Sequence, residues 1–302
     1  MVSLVSRLKT GRMVYDSLLM CGRMSTKVMN NPSDEKLKEV KLSYLDGKDN
    51  GITVLSLNRP KARNAFDQNL VLQLTKALDL IRNDEKIRVL IIRSLVPNIF
   101  CAGADLRERF RMNDNEVEEF VCSLRNLMNN VESMPTPVIS AIDGVALGGG
   151  LELALATDIR TASIEAKMGL VETKLAIIPG AGGTQRLPRL IGPAKAKELI
   201  YSAKILDGQE AHEIGLVNQI VQQNKNGDAA YQSALDIARE ILPNGPIGVR
   251  MAKVAITKGI EVPIEDGFKI EKECYAQLIN TEDRLEGLSA FTTKRVPIYR
   301  GI

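Results

Sequence analysis

The chain has 302 residues, 44% hydrophobic and 25% charged, enough for one large domain or two modest ones. A net charge of +3 implies neither nucleic acid nor an anionic membrane surface by itself, and no apolar run approaches the length of a bilayer span. Four cysteines without a CxxC pair, and a single histidine, argue against a zinc site, a disulfide framework and a Ser-His-Asp triad.

The leader spans residues 1–37, and its first thirty or so residues carry Arg7, Lys9, Arg12, Arg23 and Lys27 against one acid, Asp16. That is the cationic, acid-poor composition of a mitochondrial transit peptide, the alternative being a disordered basic leader. Val40–Leu45 and Ile52–Leu57 read as two strands of a hairpin. A helix begins near Asp67, with Leu70, Val71, Leu74, Ala77, Leu78 and Ile81 on one face. Val89–Ile92 reads as a buried strand. Val117, Phe120, Val121, Leu124, Leu127, Met128 and Val131 keep helical spacing, and Pro135 and Pro137 end that helix. Val138–Ile142 is another buried strand, and a further helix starts near Gly149. Strands and glycine turns then alternate up to Gly183. From Pro193 the pattern is almost wholly helical, apart from a short strand around Leu216–Val221. His212 falls in a polar helical stretch and reads as a surface or structural residue. The order predicts an α/β core over 38–225 and a helical region over 226–302.

Two acids stand in apolar, glycine-rich settings. Glu152 follows Gly148-Gly149-Gly150-Leu151, and Glu172 ends Gly169-Leu170-Val171-Glu172, ahead of Pro179-Gly180-Ala181-Gly182-Gly183. A buried carboxylate resists ionisation, which moves its pKa toward the range useful for proton transfer. The plainer alternatives are helix-dipole compensation for Glu152 and an ion pair with Lys167 or Lys174 for Glu172. Two junctions, Phe100-Cys101-Ala102-Gly103-Ala104-Asp105 and Gly148-Gly149-Gly150-Leu151-Glu152, place small residues where a helix begins. Their uncovered N–H groups could form an oxyanion hole, cradle a phosphate or simply permit tight turns. Neither junction contains GxxxxGK[ST] or a clean GxGxxG.

Asp143 to Arg189 resembles the enoyl-CoA hydratase/isomerase (crotonase) superfamily. So do Leu57-Asn58-Arg59-Pro60 with Asn64-Ala65, the Phe100–Leu106 junction, and Asp207-Gly208 followed by Gly215-Leu216-Val217. The run Ala166–Pro179 and Cys274-Tyr275-Ala276-Gln277 are similar to the methylglutaconyl-CoA hydratase group of that superfamily. The resemblance implies a crotonase-like spiral of ββα units with a helical C-terminal oligomerisation region, forming homotrimers or homohexamers. It implies an acyl-CoA thioester substrate whose carbonyl oxygen is held by the N–H groups of Ala104 and Gly149. Glu152 would then activate water for C3 and Glu172 would manage the C2 proton. Lys61 and Arg107 would meet the CoA phosphates, and Ala102, Ala104, Asp105 and Leu106 would line the CoA channel. No metal or redox cofactor is implied, coenzyme A being part of the substrate, and the mitochondrial matrix is the implied compartment.

Hydration needs a base for water and an acid for carbon, whereas a double-bond shift can be run by one carboxylate. Two glutamates therefore favour a hydratase, and the resemblance implies 3-methylglutaconyl-CoA of leucine catabolism as its substrate. The alternative is a short-chain enoyl-CoA hydratase or isomerase of fatty-acid oxidation. The same group is associated with AU-rich RNA. Here the Asp67–Arg82 helix offers Lys76 and Arg82 among Asp67, Asp79 and Asp84, which gives RNA little electrostatic purchase.

Overall fold

The computed structural model describes residues 38–302, so the basic leader lies outside the described residues. The described chain opens with β1 (Val40–Tyr44) and β2 (Ile52–Leu57), paired antiparallel with Val40 opposite Leu57 and Tyr44 opposite Thr53. Helix α1 (Gln68–Arg82) follows, capped by the Asp67 carboxylate, which accepts the Leu70 N–H at 2.7 Å. Its apolar stripe, from Leu70 to Ile81, is buried as the periodicity predicts. β3 (Val89–Ser94) then pairs parallel with β2.

From β3 onward one pattern repeats. β3 is followed by β4 (Ile99–Cys101), the short α2 (Leu106–Arg109) and α3 (Asp114–Glu132). β5 (Val138–Ile142) is followed by β6 (Val145–Leu147) and α4 (Gly149–Leu155), and β7 (Ile159–Ser163) by β8 (Lys167–Gly169). The first strand of each unit joins a large sheet, which β9 (Gln219–Val221) completes in the order β1-β2-β3-β5-β7-β9. The second strand of each unit joins a small sheet, β4-β6-β8. The result is the spiral of ββα units.

Large-sheet strands alternate between two cores. Leu55, Leu57, Leu90, Ile92, Val138 and Ile142 face α1, α3 and the small sheet. Ile52, Val54, Val89, Ile91, Ile139 and Ala141 face α8 (Ala229–Ile241) through Ala230, Ala234, Leu235 and Ala238. With both faces covered, these strands read in sequence as continuous apolar runs.

Helices α5 (Gly183–Ile191), α6 (Pro193–Ser202) and α7 (Gly208–Glu213) precede β9. Sequence periodicity starts the last strand at Leu216, but the structure starts it at Gln219. Leu216 and Val217 donate their N–H groups to the Ala211 carbonyl and close the end of α7 instead. His212 lies there too, exposed, with Nδ1 3.1 Å from the Val217 carbonyl oxygen. The chain ends in α9 (Pro246–Gly259), α10 (Ile264–Ala276) and α11 (Glu282–Thr293). These three leave Ile256, Ile264, Phe268, Leu285, Leu288 and Phe291 exposed.

Candidate active site

Two backbone junctions meet at one end of the small sheet. Gly148, at φ +51° and ψ −125°, turns the chain from β6 into α4, a conformation that a side chain would strain. At Gly150 a Cβ would stand 2.2 Å from the Cys101 carbonyl oxygen, so only glycine lets α4 lie against the end of β4. The close approach also brings Gly103 beside the Gly149 nitrogen, 3.4 Å from where a Gly103 Cβ would stand.

Both junctions leave a donor uncovered. Gly149 is the first residue of α4, and its N–H has no carbonyl one turn back. Ala104 is uncovered for a different reason from the helix start that its sequence suggests. It precedes Asp105, the cap of α2, and is bypassed by a short bridge to Phe66. The Phe66 N–H donates to Gly103 at 2.7 Å and the Asp105 N–H to Phe66 at 2.8 Å. Neither the Ala104 nor the Gly149 N–H donates to a protein acceptor among the described residues.

Glu152 projects from α4 and is 3% exposed. Its Oε1 accepts the N–H groups of Ala181 and Gly183, each at 2.8 Å. Burial raises its pKa; the two N–H donors and the charges of Arg186 and Arg125 oppose that rise without cancelling it. Glu172 opens a 3-10 turn, Glu172–Leu175, directly after β8. Burial lifts its pKa to about 7, with its own N–H opposing the rise and the charge of Glu152 adding to it. Its Oε2 is buried without a hydrogen-bond partner. Neither lysine near it in sequence pairs with it: Lys167 lies 3.9 Å from Asp207, and Lys174 is exposed.

Both glutamates line one cavity of about 520 Å³, together with Ala102, Ala104, Leu106 and Gly149. Asp105 does not line it. Its carboxylate caps α2 and pairs with Arg59 at 3.0 Å, and the residue lines a separate recess with Arg107. Lys61 and Arg107 are exposed and lie outside the cavity, Arg107 beside a separate recess with Gln68 and Glu116. Two cations that sequence reasoning missed, Arg109 and Arg125, stand in the cavity wall. A signal for them exists: Arg109 lies three residues after Leu106, and Arg125 lies four after Val121, so each shares a helix face with a lining residue.

A buffer of charge supports this wall from outside. Arg59 reaches Glu39 at 3.1 Å, Asp67 at 2.6 Å and Asp105 at 3.0 Å. It thereby ties the hairpin, the start of α1 and the Ala104 loop together.

This arrangement of two free N–H groups and two perturbed carboxyls around one cavity has clear relatives. Residues 47–301 match the enoyl-CoA hydratase/isomerase family. The chain belongs to that family. It is 57% identical to the human "Methylglutaconyl-CoA hydratase, mitochondrial", over 87% of this chain and 78% of that one. It is 55% identical to the human "Enoyl-CoA hydratase domain-containing protein 2, mitochondrial", over 87% of this chain and 90% of that one. The crystal structure of an enoyl-CoA hydratase from Bacillus anthracis superposes with a TM-score of 0.83 at 46% identity, covering 88% of this chain and all of that one. As a family member the chain is an enoyl-CoA hydratase-type lyase with an α/β crotonase fold.

Elsewhere the surface is less specific. The exposed face of α1 presents Gln68, Asn69, Leu72, Lys76, Asp79 and Leu80, while Arg82 turns inward to the carbonyls of Asn130 and Ser133. A cavity of about 540 Å³ opens among α9, α10 and α11, but the carboxylate of Asp283 there already accepts the N–H groups of Arg300 and Gly301. No described helix is long and apolar enough to cross a membrane.

Proposed function

We propose that this enzyme adds water reversibly across the double bond of 3-methylglutaconyl-CoA, giving 3-hydroxy-3-methylglutaryl-CoA. The observation that carries the reading is Glu172, whose Oε2 is buried without a hydrogen-bond partner, lining the same cavity as Glu152, Ala104 and Gly149. The thioester oxygen sits between those two N–H groups. Glu152, held toward its ionised form by Ala181 and Gly183, takes a proton as the water oxygen bonds to C3. The π electrons move toward C1, and the N–H groups stabilise the enolate oxygen, a contribution on the order of 3 kcal/mol for one such donor. The enolate then collapses as C2 takes the proton of Glu172. Proton exchange with solvent restores both carboxyls. The chemistry uses only these groups, coenzyme A serving as part of the substrate.

Lys61 and Arg107, exposed outside the cavity, would meet the CoA phosphates where the cofactor's nucleotide end reaches the surface. The two human relatives named above are mitochondrial, and the basic composition of 1–37 supports delivery of this chain to the matrix. The exposed apolar residues of α9 to α11 support assembly into trimers or hexamers, which sedimentation would measure. The decisive experiment compares kcat/KM on 3-methylglutaconyl-CoA and crotonyl-CoA. A preference for the first supports the substrate; a preference for the second returns the enzyme to short-chain enoyl-CoA hydration.

A further inference from the structure

Two cations stand in the cavity wall that neither the N–H pair nor the glutamates require. Arg109 ends α2, five residues after Ala104, and its backbone N–H is held by the Asp105 carbonyl at 3.0 Å. Its guanidinium has no hydrogen-bond or ion-pair partner among the described residues. Arg125, on α3, donates from Nε and Nη2 to the Gly180 carbonyl at 3.2 and 3.0 Å. That fixes it beside the turn whose N–H groups hold Glu152. The surrounding wall is otherwise apolar: Val121, Leu124, Leu175, Ile177 and Ile178.

A purely hydrocarbon acyl chain gives these guanidiniums nothing to bind, and Arg109, half-buried without a partner among the described residues, gives up solvation for no return. A substrate carboxylate changes the balance. In a five-carbon enoyl chain with a terminal carboxyl group, that group lies two bonds beyond C3. It must therefore sit close to the glutamates that act on C2 and C3. A further negative charge beside the Glu152 carboxylate is repelled unless cations offset it, as the effect of Glu152 on Glu172 already shows. Arg109 lies close enough for its charge to act on Glu172, and Arg125 does the same for Glu152. The planar fork of an arginine matches a carboxylate in two parallel hydrogen bonds.

We propose that Arg109 and Arg125 form a carboxylate clamp that selects acyl-CoA esters bearing a second carboxyl group at C5. Arg109 supplies the open fork and Arg125 the remaining Nη1 donor. The clamp rests on the dicarboxylic substrate reading given above and adds the residues that enforce it.

The test separates the two claims by using esters that cannot react. Calorimetry measures Kd for glutaryl-CoA and butyryl-CoA on wild type, R109L, R125L and R109K. The clamp predicts that the glutaryl-to-butyryl preference falls at least tenfold in R109L and about threefold to tenfold in R125L, with R109K between wild type and R109L. Equal weakening of both esters, or no change in either, overturns it. If R109L does not fold, R109Q carries the same comparison. Wild-type turnover of 3-methylglutaconyl-CoA judges the substrate separately: its absence sinks that reading, whereas an unchanged binding preference in the variants sinks only the clamp.

Discussion

Oε1 of Glu152 accepts two backbone N–H groups at 2.8 Å, while Glu172, which lines the same cavity, has its Oε2 buried without a hydrogen-bond partner. The two acids are therefore unequal before substrate arrives. One is stabilised toward its anion by fixed dipoles; the other is left to carry a proton. In the proposed mechanism this asymmetry separates base from acid.

Substituting either acid should remove chemistry rather than binding. Glu152→Gln and Glu172→Gln keep size and polarity but cannot exchange the proton. Each should lower kcat on the order of 10²–10⁴-fold, with the Kd of a saturated acyl-CoA changing little by comparison. Steady-state kinetics with parallel calorimetry reads both quantities. Wild-type turnover in both variants would remove the mechanism.

The pH profile follows from Glu172. Its carboxyl titrates at about 7 and must be protonated to supply C2 during hydration. Hydration should therefore decline as pH rises through 7. The reverse dehydration needs the carboxylate and should strengthen over the same range. In Glu172→Gln the residual activity should lose this limb. Initial rates in both directions from pH 5.5 to 8.5 check the assignment; identical profiles for wild type and the variant would reassign the acid.

The same group carries a stability cost. Its pKa rises on folding from 4.5 to about 7, so the native state binds more protons between those values. Stability contributed by this group is present below about 4.5 and lost as pH rises to 7. Glu172→Gln should consequently have a higher Tm than wild type at pH 8, with the advantage shrinking toward pH 5. A variant destabilised equally at both pH values would show that the carboxylate instead supports the fold.

Gly150 sets the approach of the two junctions. A Cβ there would stand 2.2 Å from the Cys101 carbonyl oxygen, a backbone atom that no rotamer change can move aside. Gly150→Ala should cost about 1–3 kcal/mol, as overpacking does elsewhere. It should also lower kcat, because the Gly149 N–H shifts with α4. Urea unfolding and kinetics on the same preparation read both effects; full stability would mean that the junction relaxes freely.

Much of this was legible in the chain because the signals were local. Glu152 and Glu172 stood out among apolar residues and glycines, and the stripe of α1 gave its own burial. The strands β4, β6 and β8 were not legible, being three residues each and too short for a period to register. Arg109 and Arg125 escaped for another reason. Their meeting in one cavity depends on α2 and α3 being folded against the turn at Gly180, which no short window of sequence contains. The pairing of Asp105 with Arg59 was not legible either, since 46 residues separate the two in the chain.

That pairing makes Arg59 the most consequential residue outside the cavity. Three carboxylates, Glu39, Asp67 and Asp105, converge on its guanidinium, which also donates to the Ala65 carbonyl at 2.8 Å. Removing it leaves three half-buried acids facing one another without a cation. Arg59→Ala should cost about 1–3 kcal/mol, below the range for a fully buried pair, because Arg59 and its three acids stay 16–24% exposed. Arg59→Lys should recover only part of that, since one ammonium cannot reproduce a fork directed at several acceptors. Asp105 adjoins Ala104, so the loss should reach catalysis as well, lowering kcat more than it raises KM because the oxyanion donor matters most in the transition state. Denaturant unfolding and steady-state kinetics on both variants provide the check. An Arg59→Ala enzyme with wild-type stability and kcat would show that the Ala104 loop holds its position without the ion-pair network.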